Sequence, residues 1–221
     1  MKNVISAPLK AVKGSIHIPS SKSISNRMLI IRALAGSGAS LLNLSESDDT
    51  VVLSKALDTE SDTRNVGHAG TAMRFLTAYL STQQDEVTLT GSQRMKQRPI
   101  GPLVDALKQV GARIKYLENA GCPPLRISGG SLTGGSIEIE AGISSQFISA
   151  LMMIGPVLEG GLNIELKGDV VSATYIEMTL SLMNSCGAGA RFEGNRITVP
   201  QGVYTVEDFR VESDWSAASY W

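Results

Sequence analysis

Three short segments of this sequence place small hydroxyl-bearing residues and glycines directly before apolar-periodic runs: SSKSISNR (20–27), GHAGTAMR (67–74) and GISSQF (142–147). Such runs read as helices, and their first turns leave backbone N–H groups without intrahelical partners, so each start is a small site of positive potential suited to an anion. Lys22 lies beside the first of these starts and Arg27 one turn beyond Ser23, so a phosphate there would meet N–H, hydroxyl and cation together. Arg74 stands similarly in the second segment. Ordinary Ser/Thr capping explains any one of these starts; three in one register favour a composite anion site. A fourth segment, GSQRMKQRPIGPLVDAL, sets Arg94, Lys96 and Arg98 before a helix that Pro99 is expected to open. Cations there oppose the helix dipole unless an anion joins them.

These segments recur at a fixed spacing. Gly67 to Gly142 is 75 residues, Gly91 to Gly168 is 77 and Gly111 to Gly187 is 76, which implies an internal repeat. Each copy reads as a helix (TAMRFLTAYL; SSQFISALMMI), a strand (VTLT; LNIEL), a second helix and a hairpin (RIKYL to LRIS; ARFE to RITV). The second helices carry apolar faces, Ile100, Leu103, Val104, Leu107 and Val110 in one and Tyr175, Ile176, Thr179, Leu180 and Met183 in the other, and end on Gly111 and Gly187. With a preceding strand each copy is a βαβαββ unit. SIHI, the helix SKSISNRMLIIRALA and SLLNL open an earlier, shortened copy that lacks the closing hairpin. The run VESDWSAASYW reads as a strand, an N-cap at Ser213 or Asp214, and two turns of helix, so the natural polypeptide is expected to be longer.

Composition narrows the chemistry. With 43% hydrophobic residues the 221-residue chain can bury a core, and 22 glycines against 5% aromatic residues suit a finely divided α/β chain. Twenty Lys+Arg against 21 Asp+Glu leave no basic excess for nucleic acid. The apolar stretches MLIIRALAG and FISALMMIGPVL fall short of the roughly 18 residues that span a bilayer. Cys122 and Cys186 form no metal-ligand or redox spacing with His17 and His68, which leads to an expectation of reduced thiols in the cytoplasm. The paired Asp48 and Asp49 of SESDDT read as a helix start with a solvated acid.

SKSISNR, SDDT, AGTAMR, RMKQRPIGPLVDAL, SSQFISALMM and KGDVVSATYIEMTL together closely resemble the 5-enolpyruvylshikimate-3-phosphate synthase family, over nearly the whole chain. That resemblance implies an α/β fold with two lobes of three βαβαββ units about a pseudo-threefold axis. Residues 20–211 would form one lobe; residues 1–19 and 212–221 would belong to a second lobe, otherwise absent. It implies transfer of the enolpyruvyl group from phosphoenolpyruvate to the 5-hydroxyl of shikimate 3-phosphate, without metal or organic cofactor. Ser23, Arg27, Ser144, Ser145, Ser172 and Tyr175 would hold shikimate 3-phosphate. Lys22, Arg98 and Gln146, with the backbone at Gly70 and Thr71, would face phosphoenolpyruvate, Lys22 and Gln146 lying between the two substrates. Arg74 and Arg94 would be supporting charges. The chain departs from the family at His68, where asparagine is usual, and His68 reads as a local structural residue. Two alternatives stand beside this one: transfer to UDP-N-acetylglucosamine, whose family uses a loop cysteine for which Cys122 is the only candidate, and a non-catalytic anion-binding module.

Overall fold

In the computed structural model residues 13–170 and 172–221 are described. The helix α1 (Lys22–Ala35) starts where Ser21 accepts the Ile24 N–H and stops at Gly36, which takes the left-handed conformation that a Cβ disfavours. It is followed by β1 (Leu41–Leu42) and α2 (Asp48–Asp58). The second unit runs β2 (Thr63–Asn65), α3 (Gly70–Ser81), β3 (Glu86–Thr90), α4 (Gly101–Gln109), β4 (Arg113–Tyr116) and β5 (Leu125–Ser128). The third repeats it with β6 (Thr133–Glu140), α5 (Ser145–Ile154), β7 (Glu159–Lys167), α6 (Ala173–Ser185), β8 (Arg191–Glu193) and β9 (Arg196–Val199). Both sheets share one strand order, β2-β3-β5-β4 and β6-β7-β9-β8, parallel in the first pair and antiparallel in the others. The repeat read from glycine spacing is therefore a repeat of topology.

The helices form a closed ring in chain order, α1 touching α2 and so on to α6, which returns to α1. Inside that ring α1, α3 and α5 also touch one another pairwise, which puts the first helix of every unit at the centre. Their sequences fit that place. Buried residues run along all of α5 from Phe147 to Ile154 and nearly all of α3, whereas α4 and α6 bury one stripe. Each large apolar side chain so enclosed contributes about 1.5–3 kcal/mol. The strands cover the outside with alternate residues turned inward, as at Val87 and Leu89.

Several expectations are corrected. SIHI is not a strand: Ile16 and His17 are exposed, and Ser20 makes only an isolated bridge with Ser213. The first unit is completed by the end of the chain, for β10 (Phe209–Arg210) pairs in parallel with β1, Leu41 opposite Phe209. The returning segment is anchored by Tyr204, whose hydroxyl donates to the Met153 carbonyl at 2.9 Å, and by buried Val211. α7 (Trp215–Ala218) is one turn rather than two, capped by Asp214, which accepts from the Ser216 and Ala217 N–H groups. α4 begins at Gly101 with Pro102 in its first turn, so Pro99 lies outside it. Tyr175 is 45% exposed, off the buried stripe of α6, and Leu182 takes its place inside. Residues 1–12 of the expected second-lobe segment lie outside the described residues.

Candidate functional site

Because α1, α3 and α5 occupy equivalent places in equivalent units, their N-termini meet at one end of the bundle. A cavity lies there, walled by Lys22, Ser23, Asn26 and Arg27 from α1, Thr71 from α3, Ser144, Ser145 and Gln146 from the start of α5, and Tyr175 from α6. Eight residues expected at the site, Lys22, Ser23, Arg27, Thr71, Ser144, Ser145, Gln146 and Tyr175, are thus brought together from separate stretches of chain. The side-chain amide of Gln146 donates to Thr71 Oγ1 at 3.1 Å, joining the second and third units at the cavity.

The electrostatics are one-sided. Arg27 is 3% exposed, and its three donor nitrogens all go to neutral oxygens: Nε to Thr179 Oγ1 at 2.7 Å, Nη1 to the Ser23 carbonyl at 2.9 Å and Nη2 to Ser149 Oγ at 3.0 Å. The guanidinium also stacks over the rings of Phe75 and Tyr175. Burial pulls its pKa down to about 10. Arg74, 5% exposed, donates to the Gly70 and Pro99 carbonyls while its Nε has no partner among the described residues; burial, then the nearby Arg98 charge, lower its pKa to about 10. Among the described residues no ion pair involves either arginine. Lys22, exposed at the first position of α1, adds a third cation against the helix dipole. A buried cation without a counter-ion is costly, and an anionic ligand removes that cost.

The chain's own oxygens fill part of each helix start. Ser21 and Ser144 cap α1 and α5, and at α3 the Asp49 carboxylate accepts the Thr71 N–H at 3.3 Å. Asp49 is therefore half-buried against the second unit, not the solvated acid expected from SESDDT.

The remaining expected residues flank the cavity. Gly70 adjoins Thr71, and Arg98 lies on it: a Cβ at Gly70 would sit 2.9 Å from the Arg98 Cζ, so only glycine admits that approach. Arg98 thus addresses the start of α3 rather than that of α4. Arg98, Arg94, Met95 and His68 line a neighbouring cavity. His68 Nδ1 is 2.8 Å from Ser92 Oγ. Ser172 is the N-cap of α6, its carbonyl accepting the Tyr175 N–H, beside the cavity rather than in its wall. Cys122 sits in the β4–β5 connection, outside the residues lining either cavity. Sequence reasoning missed Asn26, Ser149 and Thr179; the available signal was a polar residue at each of three buried positions in apolar helices.

Known proteins share much of this sequence and fold. The chain is 52% identical to the 3-phosphoshikimate 1-carboxyvinyltransferase of Bacteroides fragilis strain YCH46, an alignment covering all of this chain and 54% of that protein. It is 42% identical to the protein of that name from Shewanella oneidensis, covering all of this chain and 58% of the relative. The fold superposes on a structure described as EPSP synthase from Acinetobacter baumannii with a TM-score of 0.83 at 24% identity, over 95% of this chain and 52% of that one. The chain spans about half the length of the curated relatives it matches. The family model described as EPSP synthase (3-phosphoshikimate 1-carboxyvinyltransferase) matches residues 7–59 and 51–221, and with repeat, helix triad and motifs in agreement the chain belongs to that family.

Proposed function

We propose that this chain carries the shikimate 3-phosphate half of a site that transfers the enolpyruvyl group of phosphoenolpyruvate to the 5-hydroxyl of shikimate 3-phosphate, releasing phosphate. The observation that carries the reading is the meeting of three helix N-termini with buried Arg27, which has no acidic partner among the described residues. Ser23, Arg27, Ser144, Ser145, Ser172 and Tyr175 receive shikimate 3-phosphate, the serine hydroxyls and helix N–H groups taking its phosphate and Arg27 an anionic oxygen. Lys22, Arg98, Gln146 and the Gly70–Thr71 backbone receive phosphoenolpyruvate, with Arg74, Arg94 and His68 behind them. Two multiply charged anions repel each other, and fixed cations and dipoles that already point at both lower the cost of bringing O5 to C2 of phosphoenolpyruvate. Addition of O5–H across the C2=C3 bond, O5 to C2 and a proton to C3, gives a tetrahedral ketal, and departure of phosphate from C2 with loss of a proton from C3 restores the double bond and completes the transfer.

Residues 1–19 and 212–221 belong, in this reading, to a second lobe that supplies the remaining acid, base and cation groups. The two crossings run side by side: the Ser21 N–H donates to the Glu212 carbonyl at 2.9 Å and the Asp214 N–H to the Pro19 carbonyl at 2.8 Å. Such a pair of adjacent crossings supports a hinge about which the lobes close. A cytoplasmic setting is supported by the free thiols of Cys122 and Cys186. The test is phosphate release from phosphoenolpyruvate, dependent on added shikimate 3-phosphate, by a polypeptide joining this chain to a second lobe. Lys22→Met should abolish turnover while leaving shikimate 3-phosphate affinity within about twofold; normal phosphate release by that variant removes Lys22 from the reaction.

A further inference from the structure

We propose that Asn26 is a ligand-binding residue of this site, its side-chain N–H donors held for an anionic oxygen of the bound substrate. Asn26 is fully buried in α1. Its Oδ1 accepts from the Thr50 hydroxyl at 2.8 Å, and Thr50 Oγ1 lies 3.1 Å from Ser47 Oγ, so the first turn of α2 engages one end of the carboxamide. The other end is free among the described residues: Nδ2 is buried and has no hydrogen-bond partner there.

Three features connect that orphan donor with a ligand. Asn26 follows Lys22 by four positions and Ser23 by three, the spacing that stacks side chains on one helix face, and all three residues wall the cavity. Beside it the Ser25 hydroxyl is fully engaged, donating to the Ser21 carbonyl and accepting from the Ser45 N–H, while Arg27 uses three of its five N–H donors on Ser23, Ser149 and Thr179 and keeps the others for the ligand. A buried amide without a partner costs stability, whereas leucine at an interior helical position would improve both burial and helix propensity. Groups that weaken the fold in this way are kept where binding uses them.

The inference rests on the proposed function, and the test separates the two. The side-chain amide pair of Asn26 is followed by 15N-resolved NMR in the 221-residue chain during titration with shikimate 3-phosphate, with phosphoenolpyruvate as the second probe, and assigned by its absence in Asn26→Leu. The expected result is a downfield shift and slowed exchange of that pair at saturation. The pair of Asn184, whose Nδ2 already donates to the Ala190 carbonyl at 2.9 Å, should stay in place. In calorimetry Asn26→Leu should bind shikimate 3-phosphate at least about tenfold more weakly, with a thermal midpoint no lower than the parent. Saturable binding by the parent with an unmoved Asn26 pair, or Asn26→Leu binding within about twofold of it, overturns the inference and leaves the proposed function standing. Absence of binding of either probe to the parent chain removes both. The parent-chain NMR decides the question even if Asn26→Leu fails to fold.

Discussion

The Nε–H of Arg27 on α1 donates to Thr179 Oγ1 on α6 at 2.7 Å, joining residues 152 positions apart. Thr179 and Ser149 are also 2.9 Å from each other, and Thr179 donates to the Tyr175 carbonyl, so both hydroxyls keep partners without the arginine. Arg27 is held in place by groups that do not depend on it, an arrangement suited to presenting a charge rather than to supporting a fold.

Arg27→Met should accordingly leave thermal stability unchanged or raised at pH 7, because an unpaired buried cation is replaced by an apolar chain of similar length. Shikimate 3-phosphate affinity should fall by about 1.5–3 kcal/mol, the range for a hydrogen bond to a charged group. Calorimetric titration with parallel melting curves reads both. Since burial lowers the folded pKa to about 10, below that of the unfolded chain, the unfolded chain binds more protons in the interval between the two. The parent therefore gains stability over that interval and its deficit against Arg27→Met narrows there.

Gly70→Ala should push Arg98 from the start of α3, since the added methyl meets the end of a flexible side chain rather than backbone. Phosphoenolpyruvate binding should weaken about tenfold or more, with shikimate 3-phosphate affinity within about twofold. Equal losses for both ligands would mean that Arg98 serves the whole cavity.

Tyr204→Phe removes the hydrogen bond that pins the returning segment to Met153. The cost should be about 0.5–1.5 kcal/mol in urea unfolding, with unaltered ligand titrations. A loss of binding would show that the β10 segment acts on the site and not only on the first unit.

Thiol labelling distinguishes the two cysteines. Cys122 is partly exposed, while Cys186 is 4% exposed and burial pushes its thiol pKa up. An aromatic disulfide reagent at pH 8 should label one thiol quickly and release the second only in denaturant. Two fast thiols would contradict the burial of Cys186.

The repeat, the helices and the hairpins were legible because glycine spacing and apolar periodicity are local properties. What closes the first unit was not, since β1 and β10 are two-residue strands whose pairing joins Leu41 to Phe209 across most of the chain. SIHI shows the converse error: its alternation fits a strand, but among the described residues the segment has no sheet partner beyond the Ser20 bridge. At the site, Lys22, Ser23, Ser144 and Gln146 were legible as helix starts bearing polar groups. Asp49 and Asn26 were not, because their significance lies in what reaches them from another unit: the Thr71 N–H for Asp49 and the Thr50 hydroxyl for Asn26. Arg98 was legible from local spacing only as a cation before α4; its grouping with Gly70 came from the family resemblance, and the fold gives the physical reason, since it brings Gly70 beneath the guanidinium.

The most direct measurement is calorimetric titration of this 221-residue chain with shikimate 3-phosphate, UDP-N-acetylglucosamine serving as the comparison ligand. Saturable binding of shikimate 3-phosphate alone is predicted, accompanied by a rise in thermal midpoint equivalent to about 2.7 kcal/mol at a hundredfold excess over Kd. Binding of UDP-N-acetylglucosamine in its place, or of neither ligand by a chain whose circular dichroism shows it folded, would contradict the assignment of a preformed shikimate 3-phosphate half-site to the meeting point of α1, α3 and α5.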